Sequence, residues 1–157
     1  DKEKKFFTVK TSIESILRII KSQLRFAEIE LSIEGDLVLQ AYGFVNEFKQ
    51  AILIIINNAR DALEMSESYE RFINIHLSIN NENAAQITIS DNAGGIPKEI
   101  LSKIFDPYFT TKDDEKGTGI GLSLAKSIVE DNMSGTIQAE NLGNGAYFTI
   151  TLPIEKP

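Results

Sequence analysis

Asp91 closes an alternating segment in which Ile87 and Ile89 hold the same face, so its carboxylate points into the layer those side chains bury. A carboxylate there is costly unless it is paired or binds something. The residues that follow, Asn92-Ala93-Gly94-Gly95-Ile96, let the backbone approach a flat ligand closely. An ionised Asp only accepts hydrogen bonds, so it can take one from the exocyclic amine of adenine, while the carbonyl of guanine at that position is repelled. The plain alternative is a turn Asp that ends a strand. This motif alone does not choose between them.

Asn58 is the second candidate. It lies in Ala51–Ala62, a run that is apolar except for Asn57, Asn58, Arg60 and Asp61. Asn is a poor mid-helix residue, and Ile54 and Ala62 share its helical face. Its amide carbonyl is a hard oxygen ligand, suited to a Mg²⁺ ion held mainly by phosphate oxygens and water. The competing reading is a polar core residue bonded to backbone. The third candidate is Gly117-Thr118-Gly119-Ile120-Gly121-Leu122-Ser123, where glycines ahead of a helix leave N–H groups free to cradle phosphate. Lysines between Lys112 and Lys116 stand close enough in sequence to meet phosphate charge, although for residues 112 to 116 a flexible, solvated charge run is the better reading. The spacing here is G-x-G-x-G after a polar loop, so a dinucleotide fingerprint fails in context, and no G-x-x-x-x-G-K-[ST] string exists.

Positioning these groups calls for strands and helices in a definite order. A short strand near Phe6 and Thr8 precedes a helix capped at Thr11-Ser12, with Ile13, Ile16, Leu17, Ile20 and Leu24 on one stripe. Strands near Ile29–Ile33 and Leu37–Ala41 flank Glu34-Gly35-Asp36, a hairpin-like turn. A second helix spans about Asn46 to Met65. Ile73, Ile75, Leu77 and Ile79 alternate with Asn74, His76, Ser78 and Asn80 in the next strand, and the Asp91 strand follows. A polar segment of residues 92–121 holds a helical stretch near Lys98–Ile104 and reads as an active-site lid, being longer than a compact domain tolerates without a role. A helix over Leu122–Asp131 and strands at Thr136–Glu140 and Ala146–Leu152 complete the chain. Strands with one apolar face need helices to cover them. The expected fold is α+β: a two-layer α/β sandwich with a mixed, mostly antiparallel sheet covered on one face by three helices.

The 157 residues suit one domain, 42% hydrophobic and 25% charged. With no cysteine there are no disulfides or thiolate metal sites, which suits a reducing, cytoplasmic setting. A net charge of -7 argues against nucleic acid or an anionic membrane as partner. Phosphate must therefore be bound locally, by backbone N–H groups and a few lysines. The strongest apolar run, Ala51–Ile56, is far too short to span a bilayer. A chain that starts at Asp1 without a signal peptide reads as part of something larger, such as the cytoplasmic part of a membrane-bound sensor.

Taken in order, these pieces resemble the ATP-binding catalytic domain of two-component sensor histidine kinases, with its Bergerat-type fold, over essentially the whole chain. The wider superfamily includes DNA gyrase, mismatch-repair ATPases and a large heat-shock chaperone. Asn57-Asn58-Ala59-Arg60-Asp61-Ala62 is similar to the N box and Asp91–Ile96 to the first glycine box. Phe105-Asp106-Pro107-Tyr108-Phe109-Thr110-Thr111-Lys112 resembles the F box, Gly117–Leu122 the second glycine box, and Gly143-Asn144-Gly145 with Phe148 the third. The resemblance implies ATP and Mg²⁺ as cofactors, with Asn58 as metal ligand and Asp91 as adenine reader. It implies further nucleotide contacts at Asp61, Gly95, Ile96, Phe109, Thr110, Thr111, Lys112, Gly117, Thr118, Gly119, Ile120, Gly121 and Leu122.

The implied reaction is transfer of the γ-phosphoryl group to a histidine on a separate dimerisation domain, expected before residue 1, and then to a response regulator. The parent protein is expected to be a homodimer. No catalytic residue is expected within this chain, because its one histidine, His76, reads as a solvent-facing sheet residue. Phe105 and Phe109 anchor the lid or touch the helical domain, with core packing as the alternative. Two departures matter: Ala93 replaces a frequent glycine, and Ile54 stands where relatives carry a second polar residue, a catalytic Glu in those that hydrolyse ATP. With no carboxylate there, negligible ATPase activity is expected. The competing functions are a hydrolysing ATPase, a serine kinase of the anti-sigma-factor type, and a nucleotide-binding or inert scaffold.

Overall fold

The computed structural model describes residues 3–67, 70–109 and 121–157. Among these, the elements run Lys5–Thr8 (β1), Val9–Phe26 (α1), Ile29–Gly35 (β2), Gln40–Gly43 (β3), Val45–Met65 (α2), Arg71–Ile79 (β4), Ala85–Asp91 (β5), Lys98–Leu101 (α3), Gly121–Lys126 (α4), Thr136–Leu142 (β6) and Gly145–Leu152 (β7). Period-two patterning sets the sheet. Ile73, Ile75 and Leu77 of β4 are buried, as are Ile87 and Ile89 of β5 and Phe148, Ile150 and Leu152 of β7. In register, Ile75 faces Ile89, Ile89 faces Phe148 and Phe148 faces Ala139. One apolar face thus crosses the sheet, while Asn74, His76, Thr88 and Thr149 form the opposite, polar face.

The strand order is β2-β4-β5-β7-β6, with β2 parallel to β4 and every other pair antiparallel. Helices α1, α2 and α4 close the apolar face: α1 packs on β2, and α2 on β4, β5 and α4. In α2, Phe48, Ala51, Ile52, Ile55, Ile56, Ala59 and Leu63 are buried at helical spacing. Each fully buried isoleucine there contributes about 1.5–3 kcal/mol of transfer free energy. The two-layer sandwich expected from the sequence is therefore the fold observed.

The departures have local causes. No hairpin joins β2 to β3. At Gly35 (φ 98) the chain turns so tightly that a Cβ would lie 2.2 Å from the Leu77 carbonyl oxygen. Asp36 then accepts the Val38 N–H on its side chain, making an Asx turn, and β3 begins only at Gln40, pairing with β1 in a separate two-stranded ribbon. Helix α1 starts at Val9 rather than after Thr11-Ser12, because Ser12 Oγ donates back to Thr8 O (3.0 Å) from within the first turn. Ile79 is half exposed, since β4 runs past the edge of the helical layer. The helical stretch near Lys98–Ile104 is helix only to Leu101, after which it continues as turns. The last helix keeps α geometry to Lys126 and widens to a π-helical segment over Ser127–Asn132. Glu130 pairs with Lys126 (3.1 Å) and accepts the Ile137 N–H (3.1 Å), tying that wider segment to β6.

Candidate functional site

Asp91 is the last residue of β5, on the same face as Ile87 and Ile89, and is half-buried at the end of the apolar row. Its Oδ1 accepts the N–H of Ala93 (3.0 Å) and, across the sheet, the N–H of Ala146 (3.3 Å). Burial pushes its pKa above the ordinary 3.8, and the two backbone donors pull the other way. One oxygen is thus fixed by protein, and the other has no partner among the described residues and can accept from an incoming donor. Gly145 lets β7 come this close: a Cβ on it would lie 1.5 Å from the Asp91 carbonyl oxygen. No other residue fits there.

The segment after Asp91 is held from both sides. Asn92 Oδ1 accepts the Phe72 N–H and its Nδ2 donates to Glu70 O, both at 2.8 Å. Gly94 and Gly95 have φ of 100 and 87, values that favour glycine. Gly94 N–H donates to Asn144 O (2.7 Å). Ile96 is bonded twice by Asn141, its N–H to Oδ1 and its carbonyl from Nδ2, each 2.7 Å. The β6–β7 turn that carries Gly143 and Gly145 therefore backs the Gly94-Gly95-Ile96 loop. Asn92 was named from the sequence only as part of that loop, Ala146 only as the first residue of the last strand and Asn141 not at all. For the two asparagines the one signal is the choice of Asn, a residue depleted in strands, next to strand ends; Ala146, which acts through its backbone, has none.

Asn58 sits half-buried on α2, the helix packed against β5 and α4. Its neighbour Asn57 has a buried Oδ1 with no hydrogen-bond partner among the described residues. The backbone-bonded alternative thus fails for Asn57. Asp61 is half-buried and does have a partner. Among the described residues no group of three His, Cys, Asp or Glu could hold a metal by itself. A lone amide oxygen fits a divalent ion whose remaining ligands are phosphate oxygens and water. Ile54, one turn before Asn58, lies against the start of α4, 3.5 Å from where a Cβ on Gly121 would be. Gly121 and Leu122, the first residues of α4, are thereby placed beside the Asn58 helix.

Phe105 packs edge-on against Phe148 (6.2 Å between centroids), with Lys126 Nζ 5.7 Å from its ring centre. Phe109 also lies against the core. Both follow the core-packing alternative, while Tyr108 between them has φ 66 and is 78% exposed. His76 lies on the polar face of the sheet, 3.7 Å from Glu34, as expected. Thr110, Thr111, Lys112, Gly117, Thr118, Gly119 and Ile120 lie outside the described residues. A hollow of about 580 Å³ between α1 and β2, floored by Leu17, Leu24, Ile29 and Leu31, contains none of the expected site residues. No described helix is long and apolar enough to cross a membrane.

Comparison with known proteins agrees with this fold. Residues 44–156 match the family described as histidine kinase-, DNA gyrase B-, and HSP90-like ATPase. The two-component sensor PprA of Pseudomonas aeruginosa is 37% identical over 117 residues, 73% of this chain and 13% of that protein. The sensor histidine kinase GlnK of Bacillus subtilis is 35% identical over 141 residues, 87% of this chain and 34% of that protein. The chain thus spans about a third or less of these relatives. The catalytic domain of histidine kinase ThkA superposes with a TM-score of 0.84 at 25% identity, covering 97% of this chain and 96% of that one.

Proposed function

The chain belongs to the histidine kinase-, DNA gyrase B-, and HSP90-like ATPase family, and from that premise we propose that it binds Mg·ATP and donates the γ-phosphoryl group to a histidine of a separate dimerisation domain. The observation that carries this reading is the half-buried Asp91 carboxylate, one oxygen bonded by Ala93 and Ala146, at the mouth of a glycine loop. Its remaining acceptor matches the amine of adenine. Asn58, with the orphaned Asn57 oxygen beside it, supplies the amide for the metal. The ion, when bound, neutralises phosphate charge as the transfer proceeds.

In the reaction an imidazole nitrogen of the acceptor histidine forms a bond to the γ-phosphorus as the bond to the β–γ bridging oxygen breaks, leaving ADP. This chain contributes position: base at Asp91, metal at Asn58, phosphates near Gly121 and Leu122, whose placement beside α2 supports the assignment. Gly95 and Ile96 lie on the loop that leaves Asp91, and Asp61 lies one turn beyond Asn58. The sequence assigns the remaining contacts to Thr110, Thr111, Lys112, Gly117, Thr118, Gly119 and Ile120. A response regulator is proposed as the next acceptor, and the parent protein as a cytoplasmic or membrane-tethered homodimer. The relatives named above are sensors and sensor kinases, and a ThkA structure is a complex with its response regulator TrrA.

Calorimetric titration with a non-hydrolysable ATP analogue, with and without Mg²⁺ and beside GTP, tests the pocket. Adenine-selective, Mg²⁺-enhanced binding is expected; no binding to any nucleotide overturns the proposal. With the dimerisation domain supplied, the phosphoprotein should be acid-labile. An acid-stable product would move the assignment to a serine kinase.

A further inference from the structure

Both ends of the Asn141 amide bond the backbone of one other residue. Its Oδ1 accepts the Ile96 N–H and its Nδ2 donates to the Ile96 carbonyl, both at 2.7 Å. That pair imitates the two bonds a neighbouring strand would make, at a point where β5 has already ended at Asp91. The side chain is exposed, so no demand of burial explains its choice. It also shapes the adjoining residue, since a Cβ on Gly95 would lie only 3.0 Å from Asn141 Oδ1.

We propose that Asn141 is a positioning residue of the nucleotide site: its amide fixes the Gly94-Gly95-Ile96 segment at the height where the backbone can lie against the base held by Asp91. This rests on the reading of Asp91 as the base acceptor. The loop has three ties to the β6–β7 hairpin: Ala146 to the Asp91 carboxylate, Asn144 to Gly94, and Asn141 to Ile96. The first two use main-chain groups of the hairpin. Asn141 is the tie that a substitution can remove while the hairpin backbone stays in place. Gly94 and Gly95 both have positive φ and many alternative conformations open to them. Without the clamp the loop samples those conformations, and binding must order it again.

The test uses the whole chain and a non-hydrolysable ATP analogue with Mg²⁺. Asn141→Ala is expected to bind the analogue about tenfold more weakly, from two lost hydrogen bonds partly replaced by water. Its unfolding midpoint should move by no more than about 2 °C, as for an exposed substitution. The Ile96 amide in nucleotide-free protein should exchange with solvent deuterium about tenfold faster than in wild type. Wild-type affinity in the variant overturns the positioning role. So does a loss of affinity that comes with a large fall in midpoint, which would make Asn141 a stabilising residue only. If wild-type protein itself binds no nucleotide, the base-pocket reading fails first and carries this proposal with it. The Ile96 exchange rate then still reports whether the clamp exists.

Discussion

Replacing Asp91 by Asn separates the charge of this side chain from its shape. In the wild type, Oδ1 accepts two N–H groups, from Ala93 at 3.0 Å and Ala146 at 3.3 Å. An Asn amide in the same place must keep its oxygen toward those donors, because the flipped rotamer sets an NH₂ against two N–H groups. The NH₂ then occupies the position of the free carboxylate oxygen and confronts the amine of adenine, donor against donor. A hydrogen bond to a charged acceptor contributes about 1.5–3 kcal/mol, and the unpaired donors add to the loss. A rise of about 100-fold in the dissociation constant for an ATP analogue follows. GTP, whose base offers a carbonyl to the new NH₂, should lose far less.

Stability should move the other way. Burial raises the Asp91 pKa above 3.8, so as pH climbs the unfolded chain gives up this proton before the native protein does. Below the unfolded value both states are protonated and the group is neutral with respect to folding. Through the window above 3.8 the wild type loses stability relative to Asp91→Asn, and the loss is complete once the folded carboxyl has ionised. The variant at neutral pH is therefore expected to be at least as stable as the wild type. Titration calorimetry and urea midpoints measured across the acid range check both signs. A variant that keeps wild-type affinity for ATP, or loses ATP binding and stability together, refutes the assignment of Asp91 as a base acceptor.

Other outcomes follow from the same geometry. Gly145→Ala puts a Cβ 1.5 Å from a backbone oxygen that cannot swing away, so urea unfolding should show a loss of about 3 kcal/mol or more. Gly143→Ala, with nothing within 4 Å but φ 62, should cost only about 1–2 kcal/mol. Asn58→Ala should bind the ATP analogue with Mg²⁺ no better than without it, while metal-free affinity is retained; an undiminished Mg²⁺ effect would remove Asn58 from the metal site. Wild-type protein should release phosphate from ATP no faster than buffer, since Ile54 lies against α4 where a carboxylate would have to activate water. Steady hydrolysis in a colorimetric phosphate assay would count against that reading.

The sheet was legible because its alternation has no competitor: Ile73, Ile75 and Leu77, then Ile87 and Ile89, can bury only one face. The Asp91 end of the site followed directly, since its register is the register of that row. What stayed hidden was long-range. The turn at Glu34-Gly35-Asp36 carries every local sign of a hairpin, yet β2 pairs with β4 and β3 with β1. Local chemistry fixes that the chain bends and is silent on which strand it meets next. Asn141 was invisible for the same reason, as its partner Ile96 lies 45 positions earlier. The widened segment at Ser127–Asn132 has no sequence cue, and its ties run to distant elements, through Glu130 to β6 and through Asn132 to Glu47.

The arrangement also bears on how an acidic chain would hold a polyphosphate under the proposed function. Its polar insertions follow closely on buried core residues. Ile55 and Ile56 are fully buried immediately before Asn57 and Asn58, and Ile89 is buried two residues before Asp91. A buried acceptor left without a donor costs about 1–3 kcal/mol, and Asn57 Oδ1 is such an acceptor. Asp91 adds a carboxylate whose charge the native state disfavours. The two backbone donors offset part of the Asp91 cost, while the Asn57 oxygen has no partner among the described residues. Under the proposed function, an adenine amine would give Asp91 a further donor, and a hydrated cation would bring positive charge to Asn58. The empty site is therefore less satisfied than the filled one. On that reading, ligand affinity would come partly from relief of native-state costs held at the end of β5 and on α2.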